Sequence, residues 1–400
     1  MNNISLPNQV TFCKKCTISN QRPNTNVEYK SSSGTLNKTY MGFDENGICD
    51  ACNFAETKKD IDWKERKAEL KDLLSQYRKE DGNYDVLVPG SGGKDSIMAA
   101  NILKKEFDMN PLLVTWPPML LTDMGKHNFD AWLDMGFSNI TFHPNRKLHR
   151  YLTRNAFINL LHPFQPFTIG QKIVAPKIAL RHDIKLIFYG EHEAEYGSSK
   201  GINTSRRDVE SFSYDDDPHN LILGGEKVQD ILNITEFELN DFYAYIPPRT
   251  EEIIAAGLQF HYLGYFVKWH PQEVYYYATE NSNYMPNTLR TEGSYSRYSS
   301  IDDKLDWLHY YCRFIKFGMG RATNDSAQEI RNGDITREEG INLVQRFDGE
   351  YPHEYLQDCL DYMEISKKEF DDTIDRFRSE HLWNKKNDQW QLINPIWKEK

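Results

Sequence analysis

Apolar positions follow two alternating rhythms along the middle of the chain. Short β-rich runs occur at residues 84–88, 111–116, 139–142 and 184–189. The segments between them space their apolar residues at helical intervals, as in Ser96 to Phe107 with Ile97, Met98, Ala100, Ile102 and Leu103. A second helix is predicted around Lys126 to Met135. A long helical stretch follows, broken at Pro163 and Pro166 and resuming from Lys172 to His182. A fifth strand is predicted over His261 to Trp269, with His270-Pro271 opening another helix. Strands alternating with helices at this spacing imply an α/β fold, a parallel sheet covered on both faces. Ligands of such sheets bind beyond the C-terminal strand ends, where strand order reverses.

The flanks read differently. Residues 57–82 carry an amphipathic stripe of Ile61, Trp63, Leu70, Leu73, Leu74 and Tyr77, predicting a helix that ends near Asp81-Gly82. Residues 195–240 are polar and rich in turns, the pattern of an insertion or a lid. From Ile301 onward the chain is helical, with Ile301, Leu305, Leu308 and Cys312 on one face. A turn at Arg331–Asp334 precedes a helix from Thr336 to Arg346. The tail from Ser366 is amphipathic and aromatic and caps the domain. The expected organisation is a small module at 1–56, the α/β domain at 57–290 with its insertion at about 195–250, and a helical region at 291–400.

Composition narrows the function classes. With 400 residues and 39% hydrophobic content the chain can bury a substantial core. It has no apolar run of the roughly 18 residues that a membrane span needs. No basic segment followed by an apolar one opens the chain, so a cytoplasmic protein is expected. Net charge is −11, from 48 basic and 59 acidic side chains. That balance argues against a general grip on nucleic acid, which rests on neutralising phosphates. Small phosphorylated ligands need only one loop and a few cations.

Four of the six cysteines form two pairs, Cys13-x-x-Cys16 and Cys49-x-x-Cys52. Two such knuckles can supply four thiolates to one tetrahedral zinc, closing its shell and giving it a structural role. The spacer exceeds that of a typical ribbon, and Ser31–Gly34 reads as a loop extension within it. Disulfides and a redox or sulfur-transfer role are the alternatives. Cys312 and Cys359 lie on apolar helical faces, as buried thiols do.

The densest chemistry lies in Val88-Pro-Gly-Ser-Gly-Gly-Lys-Asp-Ser96, between the first strand and its helix. Gly90, Gly92 and Gly93 let backbone amides approach a ligand closely. The helix start adds unpaired N–H groups, Lys94 adds a charge, and Ser91 and Ser96 add hydroxyls. This is a phosphate cradle, but not the Walker form, because Asp95 follows Lys94. Trp116, Gly190, Glu191, His192 and Glu193 lie at other strand ends, as would Lys268, and should converge on the cradle. His192 is either a catalytic base or a hydrogen-bonded histidine.

The string Ser91-Gly-Gly-Lys-Asp-Ser96 resembles the PP-loop of ATP pyrophosphatases. Within that superfamily the chain is similar to the N-acetyl sugar amidotransferases of bacterial surface-polysaccharide and flagellin-glycan pathways. The likeness rests on both cysteine pairs, Val88–Ser96, Gly190–Gly197, Tyr295–Asp303, Phe314–Thr323, Gln328–Gly333 and Ile335–Glu338. It implies a PP-loop domain of the adenine nucleotide alpha hydrolase type, with an N-terminal zinc ribbon and a helical C-terminal region. It implies ATP cleavage between the α and β phosphates, and conversion of an acetamido group on a nucleotide sugar to acetamidino through an adenylated imidate. Ser91, Gly92, Gly93, Lys94, Asp95 and Ser96 would hold ATP, with Trp116, Gly190 and Glu191. Lys94, Asp95 and Ser96 would act on the reacting phosphates. Asp95, Glu191 and Glu193 are candidates for Mg²⁺, or else a helix cap and a solvated loop. His192, Glu193, Lys268, Lys316 and Arg321 are candidates to face the substrate, and a solvated helix face is the alternative for Lys316 and Arg321. Position 2 is Asn2, not the cysteine of an N-terminal glutaminase, so the resemblance implies a separate glutaminase subunit that supplies ammonia. A zinc-containing PP-loop tRNA thiolase is the rival reading.

Overall fold

The computed structural model of the protein describes residues 6–23, 40–197 and 204–399; Asn2 and the Ser31–Gly34 loop lie outside them. Helix α1 (Asp50–Thr57) closes the cysteine module, and α2 (Trp63–Ser75) follows a short turn. Asp62 caps α2 by accepting from the Lys64 and Glu65 amides. This helix stops well before Asp81-Gly82, since Leu70 and Leu74 are its only fully buried residues and nothing past Tyr77 renews the stripe.

The α/β core then runs β1 (Val86–Pro89), α3 (Lys94–Lys105), β2 (Pro111–Thr115), α4 (Asp123–Leu133) and β3 (Asn139–Thr141). After α5 (Arg146–Leu160) and α6 (Gln165–Arg181) the chain returns to lay β4 (Leu186–Tyr189). A hairpin of β5 (Ile222–Leu223) and β6 (Glu226–Lys227), then α7 (Val228–Ile234) and α8 (Thr250–Ala255), lead to β7 (Gln259–Tyr262) and α9 (Pro271–Asn281). The sheet is parallel, in the order β3-β2-β1-β4-β7. Strand order therefore reverses between β1 and β4.

Val86, Leu87 and Val88 are all buried, as expected of a strand covered on both faces. Leu87 packs with Leu152 of α5 and Ile173 of α6. Val86 and Val88 pack with Ile97 and Leu103 of α3 and Val274 of α9.

Two further boundaries differ from expectation. The helix expected to resume at Lys172 starts at Gln165, with Pro166 in its first turn, where a missing N–H costs nothing. The fifth strand ends at Tyr262 instead of Trp269, because Gly264 donates to the Gly190 carbonyl at 2.9 Å and the chain turns there. The apolar run outlasts the strand because that turn is buried too. Residues 204–240 also pack inward: Phe212, Leu221, Leu223, Val228 and Ile231 join the core, and Phe212 stacks on Phe260 at 3.9 Å.

The C-terminal region contains α10 (Lys304–Phe317), α11 (Arg321–Asn332), α12 (Arg337–Phe347), α13 (Leu356–Met363) and α14 (Lys367–Phe377). A hairpin of β8 (Trp383–Lys386) and β9 (Gln389–Leu392) follows. The expected face of α10 is the buried one, with Leu305, Leu308, Cys312 and Ile315. This bundle packs on α5, where Phe157 stacks on Phe370 at 5.5 Å. The cysteine module docks on α11 and α12. Thr17 Oγ1 donates to the Thr323 carbonyl at 3.0 Å, and Arg337 donates to the Cys13 carbonyl at 3.1 Å.

Candidate active site

The loop after β1 and the loop after β4 face each other at the point of reversal. Gly92 takes φ +93°, and a Cβ there would fall 2.4 Å from the Asn128 carbonyl oxygen. A Cβ on Gly190 would fall 2.7 Å from the Asp95 carbonyl oxygen. Gly93, the N-cap of α3, has open space where its Cβ would stand. The first amide of α3 to find a helical partner is that of Ile97, which donates to the Gly93 carbonyl at 3.2 Å. The preceding amides of the first turn carry the positive end of the helix dipole.

Lys94 is almost fully buried, and its ammonium donates to Asp95 Oδ2 at 2.7 Å. Trp269 Nε1 donates to Asp95 Oδ1 at 2.7 Å, and the Lys94 ammonium lies 5.4 Å from the Trp269 ring. Asp95 is thus the hub of the loop. Ser91 Oγ donates to Asp302 Oδ2 at 3.2 Å, and Ser96 Oγ to the Gly93 carbonyl at 2.8 Å. Glu191 faces Asp95, and burial followed by that negative neighbour pushes its pKa up to about 7.

Two cavities meet at the ridge formed by Gly93, Asp95, Glu191 and Tyr196. One, of about 330 Å³, lies over the strand ends between Pro89, Ser91, Ser96 and Tyr189. Glu193 is also in its wall, in an ion pair with Arg207. The other, of about 400 Å³, is closed by Asp302, Arg321, Asp325 and Glu329 of the C-terminal region. There Arg321 donates to Asp325 at 2.9 Å, to Ser300 at 2.7 Å and to the Tyr310 hydroxyl at 2.5 Å.

The structure does not bring every expected residue to these cavities. Trp116 ends β2 one strand away from the reversal and is buried between Phe142, Tyr245 and Gly170. A Cβ on Gly170 would fall 2.1 Å from the Trp116 ring, so no base can stack there without a rearrangement. His192 points away from both cavities. It is fully buried against Tyr262 and Tyr265, with Nε2 3.2 Å from the Thr204 carbonyl. Lys268 is exposed, because the early end of β7 carries it past the strand end. Lys316 donates to the Leu160 carbonyl at 2.6 Å and so serves the C-terminal end of α5.

Arg22, Tyr196, Asp302, Asp325 and Glu329 line the larger cavity without having been singled out. Tyr196, Asp302 and Glu329 lie inside the strings that carried the family likeness. Arg22 left no signal.

The four paired cysteines converge at a separate place. Their sulfurs all lie within 4.8 Å of one another, fully or almost fully buried. Cys13 Sγ is 3.8 Å from Cys52 Sγ, and Cys16 Sγ is 3.7 Å from Cys49 Sγ. A tetrahedron of sulfurs around zinc at about 2.3 Å has edges of about 3.8 Å, so the set fits this ion. The Lys15 and Cys49 amides donate to Cys13 Sγ at 3.4 and 3.3 Å, as amides around a thiolate ligand do. None of the cysteines is in a disulfide.

Residues 292–396, which close the larger cavity, match the family model described as "LPS biosynthesis protein WbpG-like, C-terminal domain". The likeness is consistent with a polysaccharide-biosynthesis family. An uncharacterized protein of Methanocaldococcus jannaschii is 34% identical over 77 residues, 19% of this chain. The chain spans about a quarter of that relative's length, 27%. Among the described residues no helix is long and apolar enough to cross a membrane.

Proposed function

We propose that the protein is an ATP-dependent N-acetyl sugar amidotransferase of lipopolysaccharide or flagellin-glycan synthesis, acting in the cytoplasm on a nucleotide sugar. The observation that carries this reading is the meeting of two cavities at the Ser91–Ser96 loop and Glu191, where strand order reverses. One cavity would take ATP and the other the acceptor. The chain would divide for this purpose into 1–56, 57–290 and 291–400.

An amide carbon is a poor electrophile, and its oxygen leaves badly. The acetamido oxygen attacks the α-phosphorus, the bond to the β-phosphate oxygen breaks, and pyrophosphate leaves. The product is an O-adenylated imidate. Ammonia from a separate glutaminase subunit adds to the imidate carbon and loses a proton, AMP departs, and the amidine forms. Amides at the start of α3, with Lys94 and Ser96, stabilise the charge growing on pyrophosphate, a task for preorganised donors. Asp95 and Glu191 would hold Mg²⁺, which would neutralise phosphate oxygens. The raised pKa of Glu191 fits a carboxyl that needs a cation beside it.

The thiolase reading has less support. Cys312 and Cys359 are fully buried, and burial pushes both thiols up, away from the thiolate that sulfur transfer needs. The test is mass spectrometry of candidate nucleotide sugars incubated with protein, ATP, Mg²⁺ and ammonium. Replacing the amide oxygen by NH lowers the mass by about one unit and adds a cation like that of a guanidinium. Sugars of unchanged mass in the presence of active ATP cleavage would sink the acceptor assignment.

A further inference from the structure

We propose that Arg22, carried by the cysteine module, binds an anionic group of the acceptor in the larger cavity, a phosphate or a carboxylate. This deepens the amidotransferase reading and rests on it for the identity of the acceptor.

Arg22 lines the same cavity as Gly92, Gly93 and Lys94 of the phosphate loop. Other arginines around the site are paired: Arg207 with Glu193, Arg290 with Glu350 and Arg321 with Asp325. No hydrogen bond or ion pair joins the Arg22 guanidinium to any described residue, and it lies 5.8 Å from the Tyr196 ring. Burial, and after it the cations Arg313 and Arg331, lower its pKa to about 9, while Tyr196 and Cys49 act in the opposite direction. It still carries its charge at neutral pH. A half-buried cation with two cations near it and no ion pair is a standing cost unless something anionic completes it.

The position is held firmly. The Arg22 amide donates to the Ser19 carbonyl at 3.3 Å, and its carbonyl accepts from the Met41 amide at 2.9 Å. Thr17, five residues earlier, hydrogen-bonds Ser326 at 2.9 Å on the helix that also carries Arg321 and Asp325. The backbone that carries the guanidinium is therefore fixed relative to the cavity wall, and the planar fork suits phosphate or carboxylate. Of the cations that line the cavity, Lys94 is paired with Asp95 and Arg321 with Asp325, which leaves Arg22 to meet an anion. The cysteine module thus gains a part in binding, by delivering one cation to a cavity it does not otherwise form.

The test is isothermal titration calorimetry on the full zinc-loaded chain, with the loop occupied by α,β-methylene-ATP and Mg²⁺. The probes are UDP-N-acetylglucosamine for the diphosphate, N-acetylneuraminic acid for the carboxylate and N-acetylglucosamine as the neutral control. At least one anionic probe should bind about tenfold or more tightly than the neutral sugar, which identifies the source of the charge. Arg22→Gln should abolish that advantage and Arg22→Lys restore part of it, at unchanged zinc content. Anionic probes that bind no better than the neutral sugar, or equally well to Arg22→Gln, would overturn the inference. AMP formation measured in parallel separates the two readings. AMP release with a silent Arg22 ends this inference alone, and Arg22-dependent binding without AMP ends the ATP reading alone.

Discussion

Lys94 is held by an acid and an aromatic ring, so its ammonium is already desolvated and aimed before any ligand arrives. Removing one such preorganised charge costs about a hundredfold or more in rate, roughly 3 kcal/mol. Lys94→Ala should show that loss equally with ammonium and with glutamine plus a glutaminase, because adenylation precedes nitrogen entry. A loss seen with glutamine alone would mean that Lys94 does not act on ATP. Glu191 and Glu329 are a different case: burial is the main cause that pushes each up to about 7, from an ordinary 4.5. The folded chain then keeps protons that the unfolded chain has released. Their stabilising contribution is whole below about 4.5 and is lost as pH rises through about 7. Buried His149 and His261, lowered to about 3 and about 4, act in the opposite direction below their ordinary 6.5. The difference between wild type and Glu191→Gln isolates the carboxyl. Without Mg²⁺, the zinc-loaded wild type should lose melting temperature relative to Glu191→Gln as pH rises towards neutrality, and Mg²⁺ with ATP should narrow the gap. A difference that stays constant with pH would show that Glu191 titrates normally.

At the scale of elements, the turn from β1 to α3 makes two neighbouring glycines unequal. Gly92 combines a left-handed backbone with the Asn128 carbonyl where a Cβ would go, whereas Gly93 faces open space. Gly92→Ala should lower stability by about 1–3 kcal/mol, the range for overpacking. Gly93→Ala should leave stability within about 0.5 kcal/mol and raise KM for ATP instead. Denaturant melts beside ATP kinetics check both, and equal melting losses in the two variants would contradict the geometry. This turn was legible in the sequence because its residues carry the conformation themselves: glycines, a helix start and a β-rich run in one short stretch. The end of β7 was not, since its apolar run continues into a buried turn. Residues 204–240 misled for the opposite reason. Their few apolar anchors, such as Phe212 and Leu223, are diluted by polar turns although the sheet face buries them.

In the whole molecule the larger cavity draws on distant regions: the loops after β1 and β4, the C-terminal region from Ser296 to Glu329, and one arginine from the cysteine module. The sheet, the helical C-terminal region and the cysteine set could be read from periodicity and spacing. The convergence of residues as distant as Arg22 and Glu329 could not, because tertiary packing alone decides it. The places of Trp116 and Lys268, outside both cavities, were hidden for the same reason, since a strand end says nothing about which neighbours cover it. The cysteine set binds these regions together through Thr17 and Arg337. Cys16→Ser should therefore lose zinc and thermal stability together, because a structural metal site contributes folding free energy directly. Metal analysis beside a melt checks this, and a metal-free variant that melts like wild type would contradict it. What happens to ATP decides the chemistry of the Ser91–Ser96 loop. Nucleotide products should be followed by ³¹P NMR while the protein turns over an N-acetylated nucleotide sugar with Mg²⁺ and ammonium. AMP and pyrophosphate in equal amounts are the expected result, and stoichiometric ADP and orthophosphate would contradict the assignment of the Ser91–Ser96 loop.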